Sequence, residues 1–330
     1  MKRTQTGALL GGAFLLPAMI NLLIDRRSSP PPIPLEGDSM YYDWPHCRIQ
    51  YTTAGTGSPL LLLHGIYAGA SSYEWRKNFH ELSRQHTVYA PCLPGFGLSE
   101  KPNIHYNAEL YVRAIQDFCR DVIGEPAVVV ASSLSAAFCV AAQAYSPIAR
   151  RLALVCPTGI ETLTRANSSL MSLSHAMLSI PIWNMSLYNS ITSQRGISSY
   201  MRQMVYHNPA FANDAVVRVH HAMAHQPGAF NAARAFITGQ LNIDIKHEFK
   251  MLDVPVLLLW GQHAAITPPA NAKAFLQANP TASLHIFQNS SLLPHDEQAS
   301  TFNRSLIDFT KLSLQSQSTE QYMETVSDYN

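Results

Sequence analysis

Short apolar runs, separated by turn residues, alternate with stretches of helical spacing along most of this chain. Residues 48–53 (RIQYTT) alternate with a period of two and predict a half-buried strand. Residues 60–63 are wholly apolar and end in His64-Gly65. Residues 87–91, 127–131 (AVVVA), 152–155, 256–260 and 284–287 are further runs of strand length. Between them lie helical patterns. Leu110, Ala114, Ile115, Phe118 and Val122 share one face over residues 107–123. Residues 134–145 are Ala-rich and directly follow AVVVA, a further helix falls near 270–278, and another over 297–312. Ser71-Ser72-Tyr73-Glu74 has the form of a capping box opening a helix through about Arg84. Apolar strands separated by helices predict an α/β fold, with a mostly parallel central sheet and helices on both faces.

The pattern changes over residues 158–245. Strand-like runs disappear, and Met, His, Ser and Asn are frequent. Such an insertion predicts a helical cap over the carboxyl ends of the strands, where open α/β sheets bind ligands. The core is then expected over 45–157 and 246–312, and the polar residues 313–330 as a disordered tail.

Residues 7–24 are apolar apart from Pro17 and Asn21, with Lys2 and Arg3 before them and Arg26 and Arg27 after. The length is at the short end of the roughly 20 residues that cross a bilayer. We expect residues 1–27 to be a membrane anchor, spanning or lying on the surface, with the protein otherwise cytoplasmic. The flanking charges leave its side of the membrane open. Residues 28–44, beginning SSPPPIP, read as a stiff linker.

Composition narrows the chemistry. Hydrophobic residues make up 47% and charged residues 14%, with a formal net charge of +1. No basic run is long enough to track nucleic acid. Cys47, Cys92, Cys119, Cys139 and Cys156 are scattered, without metal-ligand spacing, and read as small apolar filler. His220, His221 and His225 have no acidic residue among them, and there is no phosphate or dinucleotide loop; neither a metal nor a cofactor is expected.

The strongest local signal is Ala131-Ser132-Ser133-Leu134-Ser135, at a strand–helix junction. A nucleophile on a sharp turn there needs small residues two positions to either side. The turn puts Ser133 at a helix N-terminus, where the Leu134 N–H can meet a developing negative charge. His64-Gly65, the loop at 93–99 (LPGFGLS), the Ser133 junction, Trp260-Gly261 and Leu293-Pro294-His295-Asp296-Glu297 follow one another in an order that resembles α/β-hydrolases over residues 45–312. The resemblance implies Ser133 as nucleophile, with the backbone N–H groups of Ile66 and Leu134 as the oxyanion hole.

It also exposes departures. The family's acid position holds Ala264, its base position Leu292, and the position before the LPGFG loop Cys92. Ala cannot orient or charge-stabilise an imidazole, and Leu cannot accept a proton. His225, before a Pro-Gly turn in the cap, is the first alternative base; His263 and His295 are the others. Tyr67, Ser71 and Tyr73 are candidates for the pocket mouth. Glu74 has two readings, a helix cap or the carboxylate partner of a displaced base, and we favour the cap. Together, these features resemble a poorly characterised bacterial branch of the family, which implies that the altered triad is a trait of the branch.

The expected function is a serine hydrolase acting on a small apolar ester, thioester or other acyl substrate. Met171, Met177, Met185, Met201, Met204 and Met223 make the cap adaptable and apolar. The alternatives are a binding protein that does not turn its ligand over, and a lyase or isomerase using only the oxyanion pocket.

Overall fold

The computed structural model describes residues 35–164 and 181–311. One sheet of eight strands runs in the order β1-β2-β4-β3-β5-β6-β7-β8. The strands are β1 Asp38–Trp44, β2 Cys47–Ala54, β3 Pro59–Leu63, β4 Thr87–Pro91, β5 Ala127–Ser132, β6 Ala149–Val155, β7 Val256–Gly261 and β8 Ser283–Phe287. β2 pairs antiparallel with β1 and β4; the other neighbours are parallel. The expected α/β architecture is therefore present.

The solid apolar strands still obey a period of two. Leu61 and Leu63 of β3 join Val129, Ala131 and Phe138 in the core on one face of the sheet. Leu60 and Leu62 join Trp75, Phe79, Val128, Val130 and Phe302 on the other. Both faces are covered, so no position on β3 tolerates a polar side chain. Each Leu buried there contributes about 1.5–3 kcal/mol.

Helix Ala108–Phe118 begins at Asn107, whose side chain accepts from the Leu110 N–H, and packs Tyr111, Ala114, Ile115 and Phe118 inward. A π turn, Cys119–Ile123, extends it to Gly124, whose φ of 79° is the left-handed terminator. All five cysteines are buried and free, as filler residues should be.

Two local expectations need correction. Asp38–Trp44, read as the end of the linker, is an edge strand along the whole of β2. Its exposed side chains hid the alternation that identifies half-buried strands. The capping box also fails. Ser71 makes no side-chain cap bond, and one 3-10 turn, Ser72–Trp75, replaces the start of a long helix. Trp75, Phe79 and Leu82 keep the i, i+4, i+7 spacing of a helix face and are all buried, although the backbone between them is broken into short turns.

The described part of the cap holds helices Pro181–Ile191, Gln194–Tyr200, Asp214–Ala224 and Ala229–Ile237, and no strand. Its own core contains Ile197, Met201, Val205, Tyr206, Val216 and Val217, together with Leu293 from the hydrolase-like core. No described helix is long and apolar enough to cross a membrane. The expected anchor at 7–24 and the tail at 313–330 lie outside the described residues.

Gly261 ends β7 where a Cβ would lie 1.8 Å from the Ser291 carbonyl oxygen. Gly261→Ala should therefore destabilise the fold by about 3 kcal/mol through overpacking. Gly124→Ala meets no atom within 4 Å; only its left-handed backbone opposes it, at about 1–2 kcal/mol. Urea unfolding of the two variants checks the order.

Candidate active site

β5 delivers its chain into a single strained residue. Ser133 has φ 54° and ψ −121°, between the end of β5 and helix Leu134–Tyr145. A non-glycine residue held there stores roughly 1–3 kcal/mol of backbone strain. The Ser133 N–H donates to the Val155 carbonyl at 2.8 Å, which pins the turn to β6. Ala131 and Ser135, the small neighbours, are fully buried, and Ser135 Oγ donates to the His64 carbonyl at 2.6 Å.

That last bond brings the end of β3 against the turn. A Cβ on Gly65 would sit 3.4 Å from Ser132 Oγ, 3.5 Å from Glu74 Oε2 and 3.6 Å from Ser133 Cβ. The loop after β3 thus lies close beside the candidate nucleophile, at ordinary van der Waals distance from a Cβ placed on Gly65. His64 braces this loop. Its Nδ1–H donates to the Gly65 carbonyl at 2.7 Å, and its Nε2 accepts from the Leu93 N–H at 3.0 Å. Both bonds require one neutral tautomer, and burial lowers the imidazole pKa to match. Among the described residues, neither the Ile66 N–H nor the Leu134 N–H has a hydrogen-bond acceptor. Two free donors therefore flank Ser133.

The partners expected of a triad are not there. Ala264 is 2% exposed and belongs to the hydrophobic core. Leu292 packs between core and cap, and its N–H donates to the Val205 carbonyl of the cap at 3.1 Å. Cys92 is fully buried, with Gly97 folded against its sulfur.

The three alternative histidines are engaged elsewhere. His225 stays inside the cap: Nδ1 is 2.9 Å from the His221 carbonyl, and Thr192 Oγ1 is 3.4 Å from Nε2. His263 stacks on His207 of the cap, ring centroids 4.1 Å apart. His295 is fully buried against Trp75, with Nε2 3.4 Å from Glu74 Oε1. Among the described residues, Ser133 Oγ has no histidine partner.

A cap histidine outside the three alternatives, His220, meets the loop after β3. Its Nε2 lies 3.2 Å from the Tyr67 hydroxyl, and its ring stacks on the Tyr67 ring. Nδ1 faces the Val216 carbonyl at 2.8 Å, and burial lowers the pKa to about 4. Tyr67 and Tyr73 are half-buried beside this contact, whereas Ser71 is buried.

Glu74 departs most from its favoured reading. Rather than capping a helix, its Oε2 accepts from the Gly65 N–H at 3.0 Å. Burial pushes its pKa up, but His295, His64 and the Gly65 bond together hold it below the usual carboxylate range.

One layer away, Asp296 is a buried carboxylate shared by Arg76, Lys77 at 2.9 Å and the cap's Tyr206 hydroxyl at 2.6 Å. Burial again pushes up, and Arg76, Tyr206 and Lys77 outweigh it, so this pKa is also lowered. Glu297 accepts from the N–H groups of Asn208 in the cap and Ser291 in the core. The acidic pair at the end of the LPHDE motif is thus a polar seam joining core to cap. Sequence spacing displayed the pair but not its partners, which are remote along the chain.

The family model for the alpha/beta hydrolase family matches residues 60–304. The chain belongs to the α/β-hydrolase family. An uncharacterized protein of Mycobacterium tuberculosis is 26% identical over 267 residues, covering 76% of this chain and 75% of that protein. A soluble epoxide hydrolase from Corynebacterium sp. is 54% identical over a shorter stretch of 55 residues, 17% of this chain and 18% of that enzyme. Among solved structures, a serine hydrolase involved in carbazole degradation superposes with a TM-score of 0.70 at 20% identity, covering 84% of this family member and 99% of that chain.

Two outcomes follow for stability. Asp296→Ala leaves Arg76 and Lys77 uncompensated and should cost about 3–5 kcal/mol, read by urea unfolding. His220 is held near 4 when folded, against about 6.5 when unfolded. The unfolded chain binds more protons between those values, so stability should fall as pH drops from about 6.5 to 4. His220→Gln should remove about one proton's worth of that slope.

Proposed function

We propose that this protein is a serine hydrolase of small apolar acyl substrates in which Ser133 attacks without an imidazole partner. The observation that carries this reading is the strained turn at Ser133 flanked by the unengaged N–H groups of Ile66 and Leu134. Strain at an exposed or inert position is readily lost; strain beside two free donors has a use. Ser133 Oγ adds to the acyl carbon, and the oxyanion rests on the two N–H groups until the adduct collapses and breaks the bond to the leaving group; water then cleaves the acyl–Ser133 ester. One such donor is worth about 10²–10³ in rate.

The proton of Ser133 goes to water or hydroxide. No imidazolium is then available to protonate the leaving group, so substrates with stable leaving groups are favoured. Thioesters and aryl or enol esters fit, and amides do not. Ala264 and Leu292 replace charge with apolar surface, which supports an apolar acyl chain. We propose in addition that residues 7–24 hold the enzyme at a membrane. Deletion of residues 1–34 should then release it from the membrane fraction into the soluble one.

A second reading, ligand binding without turnover, is favoured by Leu292, whose side chain and N–H are both committed to the cap. A serine-directed fluorophosphonate separates the two. The expected result is labelling of the native protein that vanishes in Ser133→Ala. The labelling rate should rise with pH with no step near 6.5, the ordinary imidazole pKa. A step there means a histidine base and overturns the imidazole-free mechanism. A folded native protein that stays unlabelled supports the binding reading instead.

A further inference from the structure

We infer that Glu74 is the positioning residue of the oxyanion loop, and that His295 holds Glu74 in place. The inference rests on the reading of Ser133, Ile66 and Leu134 given above and adds the groups that aim them.

Glu74 and His295 are both fully enclosed, with side chains 1% and 0% exposed. One carboxylate oxygen faces the loop, accepting from Gly65 at 3.0 Å; the other faces His295 Nε2 at 3.4 Å. The Gly65–Ile66 peptide follows immediately, so the bond to Gly65 fixes the start of the peptide that carries the Ile66 donor. His64 fixes the same loop from the other side, through the Gly65 carbonyl. Gly65 is thus held at its N–H and at its carbonyl, one residue before the donor.

The pair is also under-bonded. Glu74 Oε1 and both ring nitrogens of His295 make no full hydrogen bond. Hydrogen bonds in unliganded sites often tighten only when substrate binds. Trp75 and Phe302 pack against the His295 ring, with centroids 4.3 and 5.6 Å away. Tyr67, on the loop after β3, and His220, from the cap, both lie within the electrostatic reach of Glu74 and of Arg76.

The carboxylate has no contact with Ser133 Oγ. Its role is therefore to aim the loop, and the variants separate that from proton transfer. Glu74→Gln keeps an acceptor for Gly65 and loses the charge. Glu74→Asp keeps the charge and loses the reach. Glu74→Ala loses both. In fluorophosphonate labelling, Glu74→Gln should stay within about tenfold of native, and Glu74→Ala should fall about 10²–10³-fold, the loss of one oxyanion donor. Glu74→Asp should fall at least tenfold, and decides the matter if Glu74→Ala does not fold.

His295→Phe leaves the carboxylate without its partner and should also slow labelling. Adding Glu74→Gln to it should restore the rate, which a purely structural role would not produce. The amide proton of Gly65 gives a readout besides reactivity: its resonance should move upfield in Glu74→Asp and much less in Glu74→Gln.

Native labelling that persists undiminished in Glu74→Asp and in folded Glu74→Ala overturns the inference. So does a collapse of labelling in Glu74→Gln, which would make Glu74 a base. If the native protein is never labelled, the reading of Ser133 fails, and the Gly65 resonance still decides whether Glu74 holds the loop.

Discussion

The backbone of Ser133 is bent into the left-handed region by a strand that ends one residue before it and a helix that begins one residue after it. Much of the molecule serves that bend. The Val155 carbonyl on β6 accepts its N–H, Ser135 ties the helix to the end of β3, and Gly65 brings the following loop alongside. Burial of β3, β5 and β6 on both faces supplies the stiffness that a strained residue needs to persist. Among the described residues no histidine reaches Ser133 Oγ, yet the framework around the turn is intact.

The loop after β8 shows how the vacated positions were reused. In place of a base, Leu292 and Leu293 fit into the apolar interior of the cap, and the next residues supply a buried polar seam. Asp296 collects two cations from the core and a hydroxyl from the cap; Glu297 collects backbone donors from both. Apolar packing and buried ion pairing thus converge within six residues. Such pairs add little stability over a hydrophobic substitute, but they define one geometry and penalise others.

The sheet was legible in the sequence because its strands are solid apolar runs between turn residues. β1 was not, since its exposed edge lacks alternation. The position of Ser133 was legible from small neighbours at a strand–helix junction. The histidines were not, because the direction of a side chain in an irregular cap depends on contacts remote along the chain. His225 looked best placed before its Pro-Gly turn, yet its ring folds back on its own helix, and His220, one helical turn and a residue earlier, faces the core. Glu74 fitted the capping pattern letter for letter. Burial decided otherwise: an enclosed carboxylate goes where a donor is, and the donor was Gly65.

The junction between Leu292 and Val205 has a mechanical meaning. In a fold whose cap swings freely, the loop after the last strand stays with the core while the cap moves. Here that loop is stapled to the cap by a backbone bond, two leucines and a shared carboxylate. Parting the cap from this loop would break all of these contacts together, so the loop after β8 belongs mechanically to the cap as much as to the core.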